Sequence, residues 1–260
     1  MSQPGSSSNA ERALEIILLL GECGPDGLSL AEIASRIGCA KSAAHRTLVA
    51  LLQKGFAEPA GRYGHYRPGA AVEMLARRQT RLETQIQDVR PGMTEFVRRA
   101  GYTVYLMVQS GVDAVCAEMI SRSARRQFAM GVGARVPMGV GAGSLALLSL
   151  LRDSSVEQMI AWNAERYDVH PSTRKVDADV IRGQVTDARR RGYAVNMGYY
   201  FPGEGGLGLP LPSTSPQDVN MAVSFSAPLE FMTEDWIEAR INELADCMGI
   251  VISASDGAGS

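Results

Sequence analysis

The stretch LSLAEIASRIGCAKSAAHRTLVALLQKGF, residues 28–56, constrains the fold more than any other. It holds two helical patterns parted by one glycine and a few residues. Ser29 and Glu32 form a capping box that starts the first helix. Ile33, Ala34 and Ile37 share its inward face, and Gly38 ends it. The second pattern, KSAAHRTLVALLQK, stops at Gly55. Ala44, Leu48, Leu51 and Leu52 give it an apolar side, and Ala43, Arg46, Ala50 and Gln53 lie opposite. A chain with so short a turn between two amphipathic helices folds them against each other.

The flanking text completes a small domain. Asn9 is a plausible N-cap for AERALEIILLLGE, in which Leu14, Ile17, Leu18 and Gly21 share a face, and CGPDG breaks the chain. After Gly55, FAEPAGRYGHYRPG reads as a β-hairpin with Arg62, Tyr63 and His65 near its tip. Three helices and a hairpin make the winged helix-turn-helix plan. Net charge is −2, yet Arg36, Lys41, Arg46, Lys54, Arg62 and Arg67 face a single acid, Glu58, over residues 36–67. A local basic window of this kind suits a polyanion. Small Ala43 lets the helix approach a major groove, Arg46 can reach a base edge or phosphate, and Lys41 and Ser42 sit where amides and dipole favour phosphate. His45 borders that face, and the hairpin tip offers Arg62 and Tyr63. Winged helices also serve as protein-contact modules, and the residues alone leave that alternative open.

At 260 residues with 45% hydrophobic content, the chain has room for two domains. The longest apolar run, LALLSLL, is far too short for a membrane span. Residues 1–9 read as a disordered leader, not a secretory signal. Cys23, Cys39, Cys116 and Cys247 lack metal-ligand spacing and read as reduced thiols of a cytoplasmic protein. AAVEMLARRQTRLET, from Ala70 to Thr84, reads as an uninterrupted linker helix, followed by a helix over about 85–100 with Pro91 near its start. Beyond Gly101, YTVYLMVQ, DAVCAEMI, RRQFAMGV and VNMAVSFSAP read as strands. GAGSLALLSLL, SVEQMIAWNAERY, VDADVIRGQVTDARRRG and TEDWIEARINELADCMGIVIS read as helices, the last capped by Thr233. Helices around a largely antiparallel sheet make this half α+β. The expected organisation is leader 1–9, winged domain 10–69, linker helix 70–86 and sheet domain 87–260.

Enzyme readings find little support. His45, His65 and His170 have no evident Ser or Cys partner, and no paired-carboxylate, metal or cofactor motif occurs. GVGAGS is like a nucleotide loop but lacks the Lys-Ser/Thr ending. The strangest text is RGYAVNMGYYFPGEGGLGLPLP, where glycines and prolines sit beside aromatics in a region expected to flank a strand.

The N-terminal pattern resembles that of IclR-type bacterial transcriptional regulators: Lys41, Ser42, Ala43, His45 and Arg46, the exit Gly55-Phe56, and the wing ending at Tyr66 and Gly69. Nearly the whole chain follows the family. The resemblance implies a homodimer, or a dimer of dimers, on double-stranded operator DNA, with contacts from Lys41, Ser42, Ala43, His45, Arg46 and Arg62. It also implies a small-molecule effector pocket built from Ala142, Gly143, Asn196, Gly206, Ser224 and Ser226. Period-two spacing puts both serines on one sheet face, and hydroxyls with helix-start amides suit a carboxylate. This chain departs from the family at several points. Thr is frequent where Ala43 stands, His where Gly139 stands, Gly-Lys where Ser144 and Leu145 stand, and Val where Glu204 stands. Gly139 and Gly206 are expected to leave room for a ligand larger than a two- or three-carbon acid, such as a small aromatic or hydroxylated acid.

Overall fold

The computed structural model describes residues 9–77, 80–122, 131–168, 176–199, 201–213, 215 and 218–252. Most of the expected leader, most of the RRQFAMGV strand, and His170 lie outside the described residues. The chain divides into two compact units, Met1–Thr80 and Arg81–Ser260.

The first unit contains helices α1 (Asn9–Gly21), α2 (Leu30–Arg36), α3 (Lys41–Gln53) and α4 (Ala70–Ala76). Its strands are β1 (Leu28–Ser29), β2 (Ala57–Pro59) and β3 (His65–Pro68), ordered β1-β3-β2. The capping box forms as expected: the Ser29 hydroxyl accepts from the Glu32 amide, and the Glu32 carboxylate accepts from the Ser29 amide at 2.8 Å. Ile16, Leu20, Leu28, Ile33, Ala44, Leu48 and Leu51 close one apolar core. The buried side of α1 runs through Ile16 and Leu20, so Leu14 and Leu18 face solvent at 62% and 45% exposure. The hairpin gains a third strand, because Leu28 and Ser29 pair with Tyr66 and His65.

The uninterrupted helix expected over 70–84 needs correction. Helix α4 closes at Ala76 with Arg77 as C-cap, and the next helix, α5, spans Thr80–Ala100 with Pro91 inside it. No side chain of α4 is buried, and Met74 and Leu75 are exposed. A short helix with no packed face gains little from propensity alone.

In the second unit, strands β4 (Val104–Ser110), β5 (Asp113–Ile120), β6 (Arg135–Pro137), β7 (Ala194–Met197), β8 (Glu204–Pro210) and β9 (Met221–Pro228) form one antiparallel sheet. Their order is β6-β5-β4-β9-β8-β7. Successive side chains in a strand point to opposite faces, and the sheet uses both. Val104, Leu106, Leu207, Leu209, Val223 and Phe225 pack with α5 and with α9 (Glu234–Met248). Tyr105, Met107 and Ala222 pack with α6 (Ala142–Ser149), α7 (Asp153–Asp168) and α8 (Ala178–Arg191). This is the expected α+β architecture.

Two features position α6. Asp113 on β5 is almost wholly buried and holds Arg135 of β6 at 3.0 Å and Arg166 of α7 at 2.6 Å. The ion pairs fix the strand whose chain runs on into α6. At the other side, a Cβ on Gly208 would lie 2.3 Å from the Ala142 carbonyl oxygen. Only glycine there lets the helix start rest on the sheet backbone.

Candidate functional site

Two surfaces gather the expected residues, one in each unit. In the first, Lys41, Ser42, His45 and Arg46 are exposed on α3, and Ala43 is half-buried beside them. Ala44, Thr47, Leu48 and Leu51 turn inward, so helical spacing alone sets the outward face. The N-cap is Ala40, which has no side chain to cap the helix. Ala43 and Ala44 donate to the Ala40 carbonyl at 2.9 and 3.0 Å, leaving the Lys41 and Ser42 amides over. Arg62 is exposed on the wing tip next to fully exposed Tyr63. His65 opens β3 beside the tip, where its amide donates to the Arg62 carbonyl at 3.1 Å and its Nδ1 lies 3.3 Å from the Gly27 carbonyl oxygen. Arg67 is tied to Glu58 across the hairpin at 2.7 Å, which removes one cation from the window. Among the described residues, Lys41, Arg46 and Arg62 have no ion-pair partner.

In the second unit, Ala142, Gly143, Asn196, Gly206, Ser224 and Ser226 all line one cleft of about 560 Å³ of atom-free space, part of it open to solvent. They come from three separate stretches of sequence, and strand register explains why they meet. Asn196, Gly206 and Ser226 stand opposite one another across β7, β8 and β9. Gly208, Ser224 and Tyr105 form the next row, across β8, β9 and β4. Antiparallel partners share a face, and α6 starts directly above these rows. A Cβ on Gly143 would meet Ser224 Oγ at 2.7 Å and Met107 Cγ at 2.6 Å, so the helix start lies against the serine. Gly141 is its N-cap, and no side chain caps it. The Leu145 amide donates to Gly141 at 3.1 Å, which leaves the earlier amides of α6 without a backbone acceptor among the described residues. Ser144 does not supply a cap either: its hydroxyl donates back to Val140 and Gly141 carbonyls.

The chemistry of the lining is one-sided. Among the described residues, no Lys, Arg or His borders the cleft. Positive potential comes only from the helix start. Asn196 accepts the Tyr199 amide at 3.0 Å through Oδ1, while its buried Nδ2 has no partner among the described residues. Burial pushes the Tyr105 hydroxyl above its usual range.

Sequence reasoning missed part of the lining. Tyr105 and Met107 come from β4, and their alternation there is the signal that would have found them. Glu204 also lines the cleft; the sequence places it near the pocket as a change of charge, without a contact role. The extra room expected from two glycines is absent. Gly139 does not line the cleft, and a Cβ there would meet the Ile181 side chain at 3.0 Å. A Cβ on Gly206 would already meet Ala142 Cβ at 3.2 Å, so that glycine serves helix approach.

A basic recognition helix with a wing in one unit, and a cleft on an antiparallel sheet in the other, are the parts of a DNA-binding transcriptional regulator. Comparison with known proteins makes the class specific. Residues 9–61 match the IclR helix-turn-helix domain and residues 82–251 match the bacterial transcriptional regulator IclR C-terminal domain. The chain belongs to the IclR family, whose members are transcriptional regulators and not enzymes. It is 24% identical to the acetate operon repressor of Salmonella typhimurium, over 92% of this chain and 85% of that one. An IclR regulator from Silicibacter has the same fold, with TM-score 0.71, 22% identity and 93% coverage of each chain. An IclR homologue from Microbacterium hydrocarbonoxydans, solved in complex with 4-hydroxybenzoate, matches with TM-score 0.68 and 22% identity, covering 93% of this chain and 98% of that one. Among the described residues, no helix is long and apolar enough to cross a membrane, and no group of His, Cys, Asp and Glu could hold a metal ion.

Proposed function

We propose that this chain is an effector-responsive repressor acting in the cytoplasm. Its winged unit binds a pseudo-palindromic operator as a homodimer, alone or paired with a second dimer. Lys41, Ser42, Ala43, His45, Arg46 and Arg62 face the DNA. Its cleft takes a small organic or aromatic acid through Ala142, Gly143, Asn196, Gly206, Ser224 and Ser226. The ligand shifts the population of DNA-competent arrangements by its differential affinity for them.

The observation that carries this reading is the convergence of those six residues on one cleft with an uncapped helix start and an unpartnered buried amide. Neutral donors around helix amides bind a carboxylate without a counter-cation. The homologue crystallised with 4-hydroxybenzoate supports the acid class. Exposed Leu14, Leu18, Met74 and Leu75 in the first unit support self-association, since apolar residues of this size gain from being covered.

The test pairs a thermal-shift screen of organic acids with a mobility shift on the DNA flanking the gene. A ligand of the folded state raises the melting temperature. The same acid should change operator affinity, and sedimentation should give a dimer or tetramer. A folded, ligand-binding protein that ignores the DNA would overturn the reading and favour a winged unit that contacts protein.

A further inference from the structure

Among the described residues, Glu204 is the single carboxylate on the cleft. It opens β8, next to the PG turn at 202–203, and points to the same sheet face as Gly206. Its Oε2 is buried and has no hydrogen-bond partner among the described residues. Asn196 Nδ2 is in the same state, on a residue only 2% exposed. Buried polar atoms rarely go unpaired in folded proteins. Here the two orphans are of opposite kind, one an acceptor and one a donor, in the same cleft.

Neither orphan answers the other's need through the protein. Asn196 faces Gly206 across β7 and β8, and Glu204 lies two residues along from Gly206. Two strand residues span about 6.7 Å. The two groups thus belong to different strands and different rows of the sheet, and one ligand must reach both rows to pair both. A simple monocarboxylate could satisfy the donors at Asn196 and the start of α6. It would leave Glu204 unpaired, and its charge would repel that carboxylate across a cleft that no cation of the described residues borders.

We infer that Glu204 sets the specificity of the cleft by accepting a hydrogen bond from a hydroxyl or amine on the ligand, at the end remote from its carboxylate. The inference rests on the proposed reading of the cleft as the effector site and adds to it a second ligand group. Burial supports it from another side: the Glu204 carboxyl is held above its ordinary range by desolvation alone, with no cation to relieve it. A donor from the ligand would supply the missing partner.

The test uses the full chain and calorimetry at pH 7.5 with matched probes. One panel pairs benzoate with 3- and 4-hydroxybenzoate, phenylacetate with 4-hydroxyphenylacetate, and hexanoate with 6-hydroxyhexanoate. A second panel holds phenol, benzyl alcohol and benzylamine, which carry the donor without the acid. In at least one pair the donor-bearing acid should bind tenfold or more tightly, because a site built for a ligand hydroxyl rejects the analogue that lacks it. Glu204→Leu should bring that pair within about twofold, and Glu204→Ala gives the same reading if the leucine variant does not fold. Acids that bind equally with and without the donor overturn the inference and leave the effector reading intact. A preference that persists in both variants also overturns it. Donors that bind without a carboxylate and depend on Glu204 uphold it while removing the acid class. Silence across both panels overturns it together with that class.

Discussion

Helices α3 and α6 begin in the same way and in opposite settings. Neither has a side-chain cap: Ala40 precedes one and Gly141 the other. By contrast, α2, α8 and α9 are capped by Ser29, Asp177 and Thr233. Helix α4 also opens uncapped, on Gly69. The uncapped start of α3 is exposed and ringed by Lys41, His45 and Arg46. The uncapped start of α6 is buried against serine, glycine and methionine, and no cation among the described residues borders it. An amide cluster among solvated cations is suited to a long polyanion that brings many charges at once. The same cluster in a largely apolar cleft is suited to one small group whose every hydrogen bond counts.

The largest effect expected from breaking this contrast is at α3. Arg46→Ala should lose roughly 1–3 kcal/mol of operator binding per half-site. A dimer loses it twice, while ligand affinity stays unchanged. Electrophoretic mobility shift checks the first part and calorimetry the second.

Salt should separate the two sites next. Operator affinity should fall steeply with ionic strength, since the exposed cations release counterions. Ligand affinity should be nearly flat, because no Lys, Arg or His of the described residues borders the cleft. Arg62→Ala should lower the log–log slope for the operator by about one unit per half-site. An unchanged slope would place Arg62 away from the backbone of the DNA.

Gly208→Ala aims at the approach of α6. The new methyl would sit 2.3 Å from the Ala142 carbonyl oxygen, so the helix start must move. Overpacking of this kind costs about 1–3 kcal/mol. Thermal melting should show a loss of roughly 2–10 °C, and ligand binding should weaken with it. Ser224→Ala and Ser226→Ala are milder. Each should weaken ligand binding by about tenfold, from one lost hydrogen bond to a buried oxygen, and leave ligand-free operator binding near normal. Wild-type ligand affinity in both would move the site elsewhere.

The smallest effect is electrostatic. Burial raises the folded-state pKa of Glu204 above its unfolded value. The proton is then bound more tightly in the folded protein, so the carboxyl does no harm below the unfolded pKa of about 4.3. It destabilises as pH rises through the folded value. Glu204→Gln in the ligand-free protein should therefore raise the melting temperature by about 1 °C at pH 7–8. At pH near 4 it should change nothing.

The sequence made the α3 region legible and much of the α6 region illegible, for a physical reason. Ser29, Glu32, Gly38 and Gly55 are local signals whose partners lie within a few residues, so helix ends could be read directly. The alternation of MAVSFSAP likewise exposed β9. Strand β8, however, reads EGGLGLP, a poor strand by propensity. Its glycines at 206 and 208 are set by the approach of α6, a contact more than sixty residues away in the chain. No local pattern encodes that distance. The apolar look of Val72, Met74 and Leu75 misled in the opposite direction, because nothing in the described structure buries that face. The role of Glu204 depended on an orphaned oxygen, which only coordinates can display.

The alternation of the sheet has an evolutionary consequence. Residues 196, 204, 206, 224 and 226 meet the cleft from one face, while Leu207, Leu209 and Val223 fill the core on the other. Neighbours in sequence thus answer to separate demands. A lineage could exchange its ligand by substitutions at every second position of three strands and leave the packing that stabilises the sheet undisturbed. Inheritance of the scaffold and inheritance of the chemical signal are uncoupled at the level of the single residue.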